Sequence, residues 1–201
     1  RAKLMCDDAH LYIAAELVEP RVAATIRQRD AQLYKEQAFE VFIDPGADGR
    51  DYLELQVNPL NTVCDLAMTR PYRDRGQADI GFDLQGFRSA VSVDGTANDA
   101  SDEDRSWTVE LAIPWAAMKA LSDDTVAPPT DGQRWRINLA RMRPADVDPG
   151  AADEKPRDEK PRDEKPRRDL WVWSAQGSFN MHLPERWGSV AFPATKRIAK
   201  P

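Results

Sequence analysis

Short runs in which apolar and polar residues alternate recur along most of this chain. In the clearest run, residues 52–58 (YLELQVN), leucine or valine fills every second position. A period of two predicts a strand with one apolar face and one polar face. Similar short runs, bounded by Gly, Pro, Asn or Asp, occur at 11–18, 39–43, 62–68, 87–93, 107–113, 135–139, 171–173 and 187–192.

Helix signals are few and short. Residues 114–121 (PWAAMKAL) predict about two turns, because proline is tolerated in the first turn. Residues 22–29 predict another short turn. A parallel βαβ architecture needs crossover helices that this pattern does not supply. We therefore predict an all-β fold, an antiparallel β-sandwich of jelly-roll or immunoglobulin-like type with one or two short helices, forming a single domain over residues 1–201.

A five-residue repeat interrupts the alternating pattern. The sequence DEKPR occurs three times in succession, at 153–157, 158–162 and 163–167. Proline at every fifth position excludes both a continuous helix and a central strand. We predict that residues 150–169 form a flexible, solvated loop inserted into the domain.

Composition excludes several classes of function. With 34 acidic and 28 basic residues, the net charge of −6 argues against nucleic acid or anionic membrane as a partner. No apolar run approaches the roughly 18 residues of a membrane span. Cys6 and Cys64 form no CxxC pair, and with two histidines they make a zinc site improbable. Whether the two cysteines are bonded stays open.

A polar face with a nearby aromatic residue predicts sugar binding. Glu40, Glu54, Gln56 and Asn58 project from strands whose other faces are apolar, and Tyr34 lies just before them. Planar amides and carboxylates suit bidentate hydrogen bonds to vicinal hydroxyls, and an aromatic ring covers the C–H face of a pyranose. The alternative is an ordinary solvated sheet face with a loop tyrosine.

The tryptophans divide by their phase along the strands. Trp107 and Trp135 are in phase with aliphatic residues, which predicts that both lie in the core. Trp115, beside the predicted helix start, is predicted to pack. Trp171 and Trp173 are in phase with each other, so both face one side, either in the core or at a binding surface.

An acidic turn at 94–104 (DGTANDASDED) has the clustered oxygen atoms that suit calcium. Its spacing is not that of an EF-hand, and a polar connection between strands is the alternative. The residues at 44–51, with three aspartates, invite the same interpretation. The candidate calcium ligands in the first turn are Asp94, Asp99, Asp102 and Asp104.

A set of ordered motifs then resembles a known family. The chain resembles carbohydrate-binding module family 9, in the DOMON-like β-sandwich superfamily, over nearly its whole length except the DEKPR insert. The motifs are FEVFIDP (39–45), YLELQVN (52–58), NTV (61–63), PYRD (71–74), DGT (94–96), WTVE (107–110) with PW (114–115), WRIN (135–138), WVWSAQG (171–177), NMH (180–182) and PERWG (184–188).

The resemblance implies a non-catalytic β-sandwich that binds poly- or oligosaccharides and supports carbohydrate catabolism beside glycoside hydrolases. It also implies that no cofactor is required, that members bind structural calcium, and that the location is secreted, periplasmic or at the cell surface. Members hold the terminal sugar of a glycan between two aromatic rings. They also have a further strand ahead of the position of Arg1, which predicts that this chain lacks one strand.

The resemblance assigns roles to five residues of this chain. Tyr34 matches one ring of the clamp, Glu40 a hydroxyl-binding carboxylate and Gln56 a polar ligand residue. Asn180 and His182 lie on a neighbouring loop.

The second ring of the clamp falls near Met181, which is not aromatic, so the resemblance predicts that Trp171 or Trp173 replaces it. Tryptophans that closer relatives carry are also replaced here, by Ala23 and Cys64.

Three alternatives remain open from the sequence. In the first alternative, the chain is a structural or interaction domain that has lost its ligand. In the second, it is a glycoside hydrolase that uses two of Glu40, Glu54 and Glu110. A hydrolase requires two carboxyl groups about 5–9 Å apart in a cleft, one with a raised pKa. A more distant alternative is a haem-binding sandwich that uses His182 and a methionine such as Met68.

Overall fold

The alternating runs form antiparallel strands in a computed structural model that describes residues 1–144 and 168–192. All nine predicted runs are found as strands, with shifts of a few residues at their ends. Two further strands, the first and the sixth, were not predicted. The strands are β1 (Ala2–Cys6), β2 (His10–Val18), β3 (Ala38–Asp44), β4 (Tyr52–Val57), β5 (Val63–Met68), β6 (Ala78–Asp79), β7 (Arg88–Asp94), β8 (Ser106–Pro114), β9 (Arg134–Pro144), β10 (Arg168–Val172) and β11 (Gly188–Ala191).

The strands form two sheets. One has four strands in the order β1-β2-β8-β7, and the other has seven, in the order β10-β9-β3-β4-β5-β6 with β11 also paired to β9. Every pairing is antiparallel. These sheets confirm the predicted all-β antiparallel sandwich.

The main core lies between the sheets. It combines the inward faces of β2 and β8 with those of β3, β4 and β9, where Leu55 and Val41 are fully buried. Trp107 and Trp135 are also fully buried, as predicted from their phase. Trp115 packs edge-to-face on Trp135, with ring centroids 5.6 Å apart, which confirms its predicted packing role.

Two helical predictions have different outcomes. Residues 114–121 form α1 (Trp115–Met118) followed by a 3₁₀ turn (Lys119–Leu121), as predicted. The prediction of a helical turn at 22–29 is wrong. There the backbone N–H groups of Val22 and Ala24 donate to the side chains of Asp104 and Asn98, at 2.6 and 3.0 Å. These long-range bonds replace the local backbone bonds that a helix would need.

A second apolar cluster covers the other face of the seven-stranded sheet. It contains Phe42, Tyr52, Met68, Met142 and Trp187, and loop residues complete it. Because both faces are covered, all residues of β3 and β4 are buried. Polar side chains on this face therefore lie beneath other parts of the chain.

The DEKPR repeats at 153–167 lie outside the described residues. The predicted loop ended at residue 169, whereas Arg168 and Asp169 belong to β10. Cys6 and Cys64 are both free thiols, on β1 of one sheet and β5 of the other. In the described part of the chain, no helix has the length and apolar character needed to cross a membrane.

Candidate functional site

The pairing of β3 with β4 brings three polar side chains together. Glu40 lies directly opposite Gln56, and Glu54 is the diagonal neighbour of Glu40. Paired residues of an antiparallel ladder share one face, so all three project from the outer face of the seven-stranded sheet. The Nε2 of Gln56 donates to Glu54 Oε1 at 2.5 Å. Glu40 is only 2% exposed.

A loop folds over these side chains from one side. The 3₁₀ turn Leu33–Lys35 carries Tyr34, whose backbone N–H donates to Gln56 Oε1 at 3.0 Å. Asn58, at the end of the same polar row, does not join the site. Its Nδ2 donates to the carbonyl of Ile26 and to Glu36, at 2.7 and 2.9 Å. The sequence placed Asn58 on the correct face, but its role is to hold the loop that carries Tyr34.

His182 is held over the side chains of Glu40, Glu54 and Gln56 from another side. Its Nδ1 is hydrogen-bonded to the Tyr52 hydroxyl at 2.8 Å, and its Nε2 lies 3.5 Å from Glu54 Oε2. The ring also meets Tyr72 edge-to-face, with centroids 4.7 Å apart. The backbone N–H of His182 donates to Asn180 Oδ1 at 2.9 Å, which fixes the loop.

Together these groups enclose a cavity of about 480 Å³. Five of the predicted site residues line it: Tyr34, Glu40, Gln56, Asn180 and His182. The floor is polar and the walls are largely apolar and aromatic, which is the usual composition of a small-molecule site. The other lining residues include Gln32, Phe42, Glu54, Cys64, Leu66, Tyr72, Ile80, Met142, Arg168, Phe179 and Met181.

Burial changes the ionisation of the floor. Loss of solvation raises the pKa of both Glu40 and Glu54, and the charge of Glu54 raises the pKa of Glu40 further, while Arg168 acts in the opposite direction. Burial lowers the pKa of His182 to about 4. At neutral pH the imidazole is therefore uncharged, and the two carboxyl groups hold protons more strongly than in water.

Arg168 reaches the cavity from the first position of β10. Its guanidinium lies 5.2 Å from the centroid of the Tyr34 ring. This contact places a cation over the ring that the resemblance assigned to sugar stacking.

The structure does not bring Trp171 to this cavity. Trp171 pairs directly with Arg141, which in turn pairs with Phe39. Phe39 packs in the core between the sheets, so this register directs Trp171 to the face opposite Glu40. The Trp171 ring is 48% exposed, and the Arg141 guanidinium lies 4.9 Å from its centroid.

Trp173 lies on the same face as Trp171. Its backbone N–H donates to the Leu139 carbonyl at 2.8 Å, and its ring lies directly over Gly188. A Cβ at Gly188 would come within 2.3 Å of that ring. The prediction that one of these tryptophans replaces the second ring of the clamp is therefore not met at this cavity.

The predicted calcium ligands do not converge. Asp104 is buried and accepts backbone N–H groups of Val22 and Thr96, each at 2.6 Å. Asp94 pairs with Arg105 at 2.7 Å, and Asp99 accepts from Ser101.

Asp102 is exposed at the end of that turn. In the other acidic loop, Asp44 is buried and accepts the backbone N–H of Gly49 at 2.8 Å. Within residues 1–144 and 168–192, no group of three or more His, Cys, Asp or Glu is arranged to hold a metal ion. Structural calcium therefore stays a prediction.

Sequence reasoning missed two aromatic residues of the cavity. Tyr72 was noted only within the PYRD motif, and Phe179 was not singled out. Neither lies on a strand, so no periodicity placed them. The methionine of the haem alternative, Met68, is fully buried and is not among the residues that line the cavity.

Comparisons with known proteins agree with this architecture. The Exoglucanase XynX of Acetivibrio thermocellus is 25% identical over 122 residues, which is 60% of this chain and 9% of that enzyme. The chain thus matches less than a tenth of that protein's length. A crystal structure of a candidate carbohydrate-binding protein from Bacteroides uniformis has the same fold, with a TM-score of 0.62 and 16% identity. That comparison covers 95% of this chain and 77% of the other.

A family model described as carbohydrate family 9 binding domain-like matches residues 1–148. This range includes β1 to β9, and so the strands that supply Glu40, Glu54 and Gln56. The chain belongs to the carbohydrate family 9 binding domain-like family.

Proposed function

We propose that this domain binds a poly- or oligosaccharide in the cavity above β3 and β4 and does no chemistry on it. The observation that carries the proposal is the set of buried planar polar groups, Glu40, Glu54 and Gln56, at the floor of an aromatic-walled cavity. Buried polar groups are costly unless they are paired. A ligand rich in vicinal hydroxyls supplies both donors and acceptors to such a floor.

The ionisation of the floor suits an uncharged ligand. A protonated carboxyl group donates one hydrogen bond and accepts others, whereas a carboxylate only accepts. Burial raises the pKa of both Glu40 and Glu54, so both carboxyl groups retain protons to higher pH than in water, and a protonated group on this floor offers both kinds of partner to sugar hydroxyls. We expect affinities of roughly −4 to −8 kcal/mol, that is, millimolar to micromolar dissociation constants.

We place the domain outside the cell, joined to or beside a glycoside hydrolase. The partial match to an exoglucanase supports this placement. Tethering raises the local concentration of a catalytic domain at its substrate, so even weak sugar binding is useful.

Affinity electrophoresis tests the proposal. The gels contain xylan, β-glucan, mannan or cellulose fragments, and the parent is run beside Glu40→Ala and Gln56→Ala. Trp171→Ala is the matched control, because Trp171 is exposed on the other face of the sheet. We expect one glycan to retard the parent and the control but neither site variant. A folded parent retarded by no glycan would favour the alternative of a domain that has lost its ligand.

A second candidate is a glycoside hydrolase, and one observation favours it. Glu40 and Glu54 both line the cavity with raised pKa values. They are diagonal neighbours on one face of the sheet, and a hydrolase requires its two carboxyl groups to lie about 5–9 Å apart. Product release from the retarding glycan decides between the two functions. If product is released and both Glu40→Gln and Glu54→Gln abolish that release, the domain is a hydrolase. Binding without product release supports the binding module.

A further inference from the structure

The Glu40 carboxyl group differs from the other polar groups of the floor in having no partner. It is 2% exposed and lines the cavity. Among the residues that the structure describes, none donates a hydrogen bond to this carboxyl group or forms an ion pair with it. Glu54, by contrast, accepts a hydrogen bond from Gln56 and lies beside His182. A buried polar group without a partner is costly, so Glu40 is the group of the floor that gains most from a ligand.

The position of Glu40 favours its uncharged form. Its diagonal neighbour on the same buried face is a second carboxyl group, that of Glu54. Two ionised carboxylates on one enclosed floor repel each other, and neither is well solvated there. Arg168 acts in the opposite direction, but its guanidinium lies over the Tyr34 ring, 5.2 Å from the centroid, rather than in an ion pair with Glu40. A proton on Glu40 therefore removes a charge that its surroundings do not balance.

The other titratable groups that face the cavity do not compete with this proton near neutral pH. Burial lowers the pKa of His182 to about 4, so its imidazole is already uncharged. Asp30 is paired with Arg29, whose Nε lies 3.5 Å from Asp30 Oδ2. The remaining titratable groups that line the cavity are uncharged at neutral pH: Tyr34, Cys64 and Tyr72. The two floor glutamates are thus the groups of the cavity whose charge changes as pH rises from acidic to mildly alkaline values.

The floor also needs a hydrogen-bond donor. Gln56, directly opposite Glu40, donates from Nε2 to Glu54 and accepts the backbone N–H of Tyr34 at Oε1. Much of its capacity is therefore already used within the protein. A protonated carboxyl group donates one hydrogen bond and still accepts others, whereas a carboxylate only accepts. Glu40 in its uncharged form supplies the donor that a sugar hydroxyl oxygen requires.

We propose that Glu40 binds the sugar as a neutral carboxylic acid that donates a hydrogen bond to a sugar hydroxyl, so that sugar binding is coupled to proton uptake by the domain. This inference rests on the proposed function. When Glu40 is ionised, it takes a proton from the solvent before or as the sugar binds. The apparent affinity then decreases with the fraction of the protein that is protonated at Glu40, so sugar binding weakens as pH rises.

Calorimetric titration at several pH values, from about 5.5 to about 9, tests the inference with xylobiose, cellobiose and mannobiose. These sugars are uncharged in this range, so any pH dependence of binding belongs to the protein. We expect the dissociation constant of the sugar that binds to rise with pH, by up to roughly tenfold per pH unit for one proton. Titrations at one pH in two buffers with different ionisation enthalpies count the protons, and we expect uptake of up to about one per sugar bound.

Three variants assign the proton to Glu40. Glu40→Gln is expected to bind sugar with little pH dependence, because an amide donates a hydrogen bond but does not ionise. Glu54→Gln is expected to keep the pH dependence but to shift it to lower pH, because the charge of Glu54 raises the pKa of Glu40. Glu110→Gln is the matched control, an exposed carboxyl group on β8 of the other sheet, and keeps the parental profile.

The outcomes separate this inference from the proposed function. If the parent binds a sugar with the same affinity from pH 5.5 to 9, the coupling to a proton is wrong and sugar binding stands. The same conclusion follows if Glu40→Gln keeps the parental pH dependence. If the parent binds none of the three sugars at any pH, both proposals are overturned. Near-ultraviolet circular dichroism at each pH distinguishes a loss of affinity from a loss of folded protein.

Discussion

At the scale of single residues, Glu40 and Glu54 link the site to the stability of the fold. Both are buried with raised pKa values, against an ordinary value of 4.5. The folded protein therefore holds protons that the unfolded chain releases above pH 4.5. Stability then falls as pH rises through the folded pKa values, by up to about 1.4 kcal/mol per pH unit for each proton.

The titration of His182 changes the stability of the fold in the opposite direction, over a lower pH range. Its pKa is about 4 in the folded protein and 6.5 when unperturbed, so its contribution rises from pH 4 to 6.5. Above pH 6.5 the glutamate contribution dominates. We predict that the free energy of unfolding falls between pH 6.5 and 9, and falls less in Glu40→Gln.

Urea unfolding at several pH values measures this slope. Glu110→Gln, an exposed carboxyl group on β8, is the matched control and keeps the parental slope. A parental stability that is constant or increases from pH 6.5 to 9 would contradict the prediction, as would equal slopes in the parent and Glu40→Gln.

Residue-level prediction succeeded where periodicity applied. Alternation alone places Glu40 and Gln56 on one face, and the register pairs them directly. Their burial was not predictable from the strands, since it depends on loops that fold over them. Tyr72 belongs to such a loop, which is why only the PYRD motif drew attention to it.

At the scale of elements, the loop that carries Tyr34 depends on one buried amide. Asn58 donates to Ile26 and Glu36, and its Oδ1 accepts the backbone N–H groups of Leu60 and Thr62, at 3.0 and 2.9 Å. Asn58→Ala would leave several of these groups unpaired. We predict a loss of about 1–3 kcal/mol in unfolding free energy and faster amide exchange in residues 26–36.

Hydrogen exchange followed by mass spectrometry resolves this effect by segment. The core strand β8 is the internal reference, and Ser189→Ala, exposed on β11, is the control variant. Exchange in residues 26–36 that matches the parent would show that Asn58 does not hold the loop.

Two predictions at this scale were not met: the helical turn at 22–29, and the placement of Trp171 or Trp173 at the cavity. Both have one physical cause. The segment 22–29 has a helix-like composition, yet its backbone is bonded by side chains distant in sequence, such as Asp104. The phase of Trp171 and Trp173 was predicted correctly, but the sheet face depends on which residue of β9 each opposes. Long-range partners decide both, and a local pattern contains no information about them.

At the scale of the whole molecule, the floor of the site is the outer face of strands whose inner face forms the core. Leu55 is fully buried between the sheets, and its neighbours along β4 are Glu54 and Gln56. We predict that Leu55→Ala lowers the free energy of unfolding by about 2–5 kcal/mol. Val18→Ala, a change at a 73% exposed position, is expected to cost less than about 0.5 kcal/mol.

Urea denaturation followed by tryptophan fluorescence and by circular dichroism measures both changes. The two signals should coincide if the sandwich unfolds as one cooperative unit. A loss below about 1 kcal/mol in Leu55→Ala would contradict the packing described between the sheets.

The overall fold was largely predictable because many short amphipathic runs, with almost no helix, have few arrangements other than a sandwich. The second apolar layer was not predictable. It forms where loops and 3₁₀ turns cover the outer face of one sheet, including Met181 and Trp187. That layer creates the cavity, so the feature most relevant to function is the one least visible in the alternating pattern.

The central claim is that a sugar occupies the cavity above β3 and β4. Of the five methionines, Met142 and Met181 line that cavity, whereas Met118 is in the main core and Met5 is exposed on β1. The most direct measurement is a ¹³C-methyl-methionine NMR titration with fragments of the glycan that retards the protein. The account predicts saturable shifts of the Met142 and Met181 methyl signals and unchanged Met5 and Met118 signals. Binding that leaves Met142 and Met181 unchanged, or that shifts Met5 instead, would contradict it.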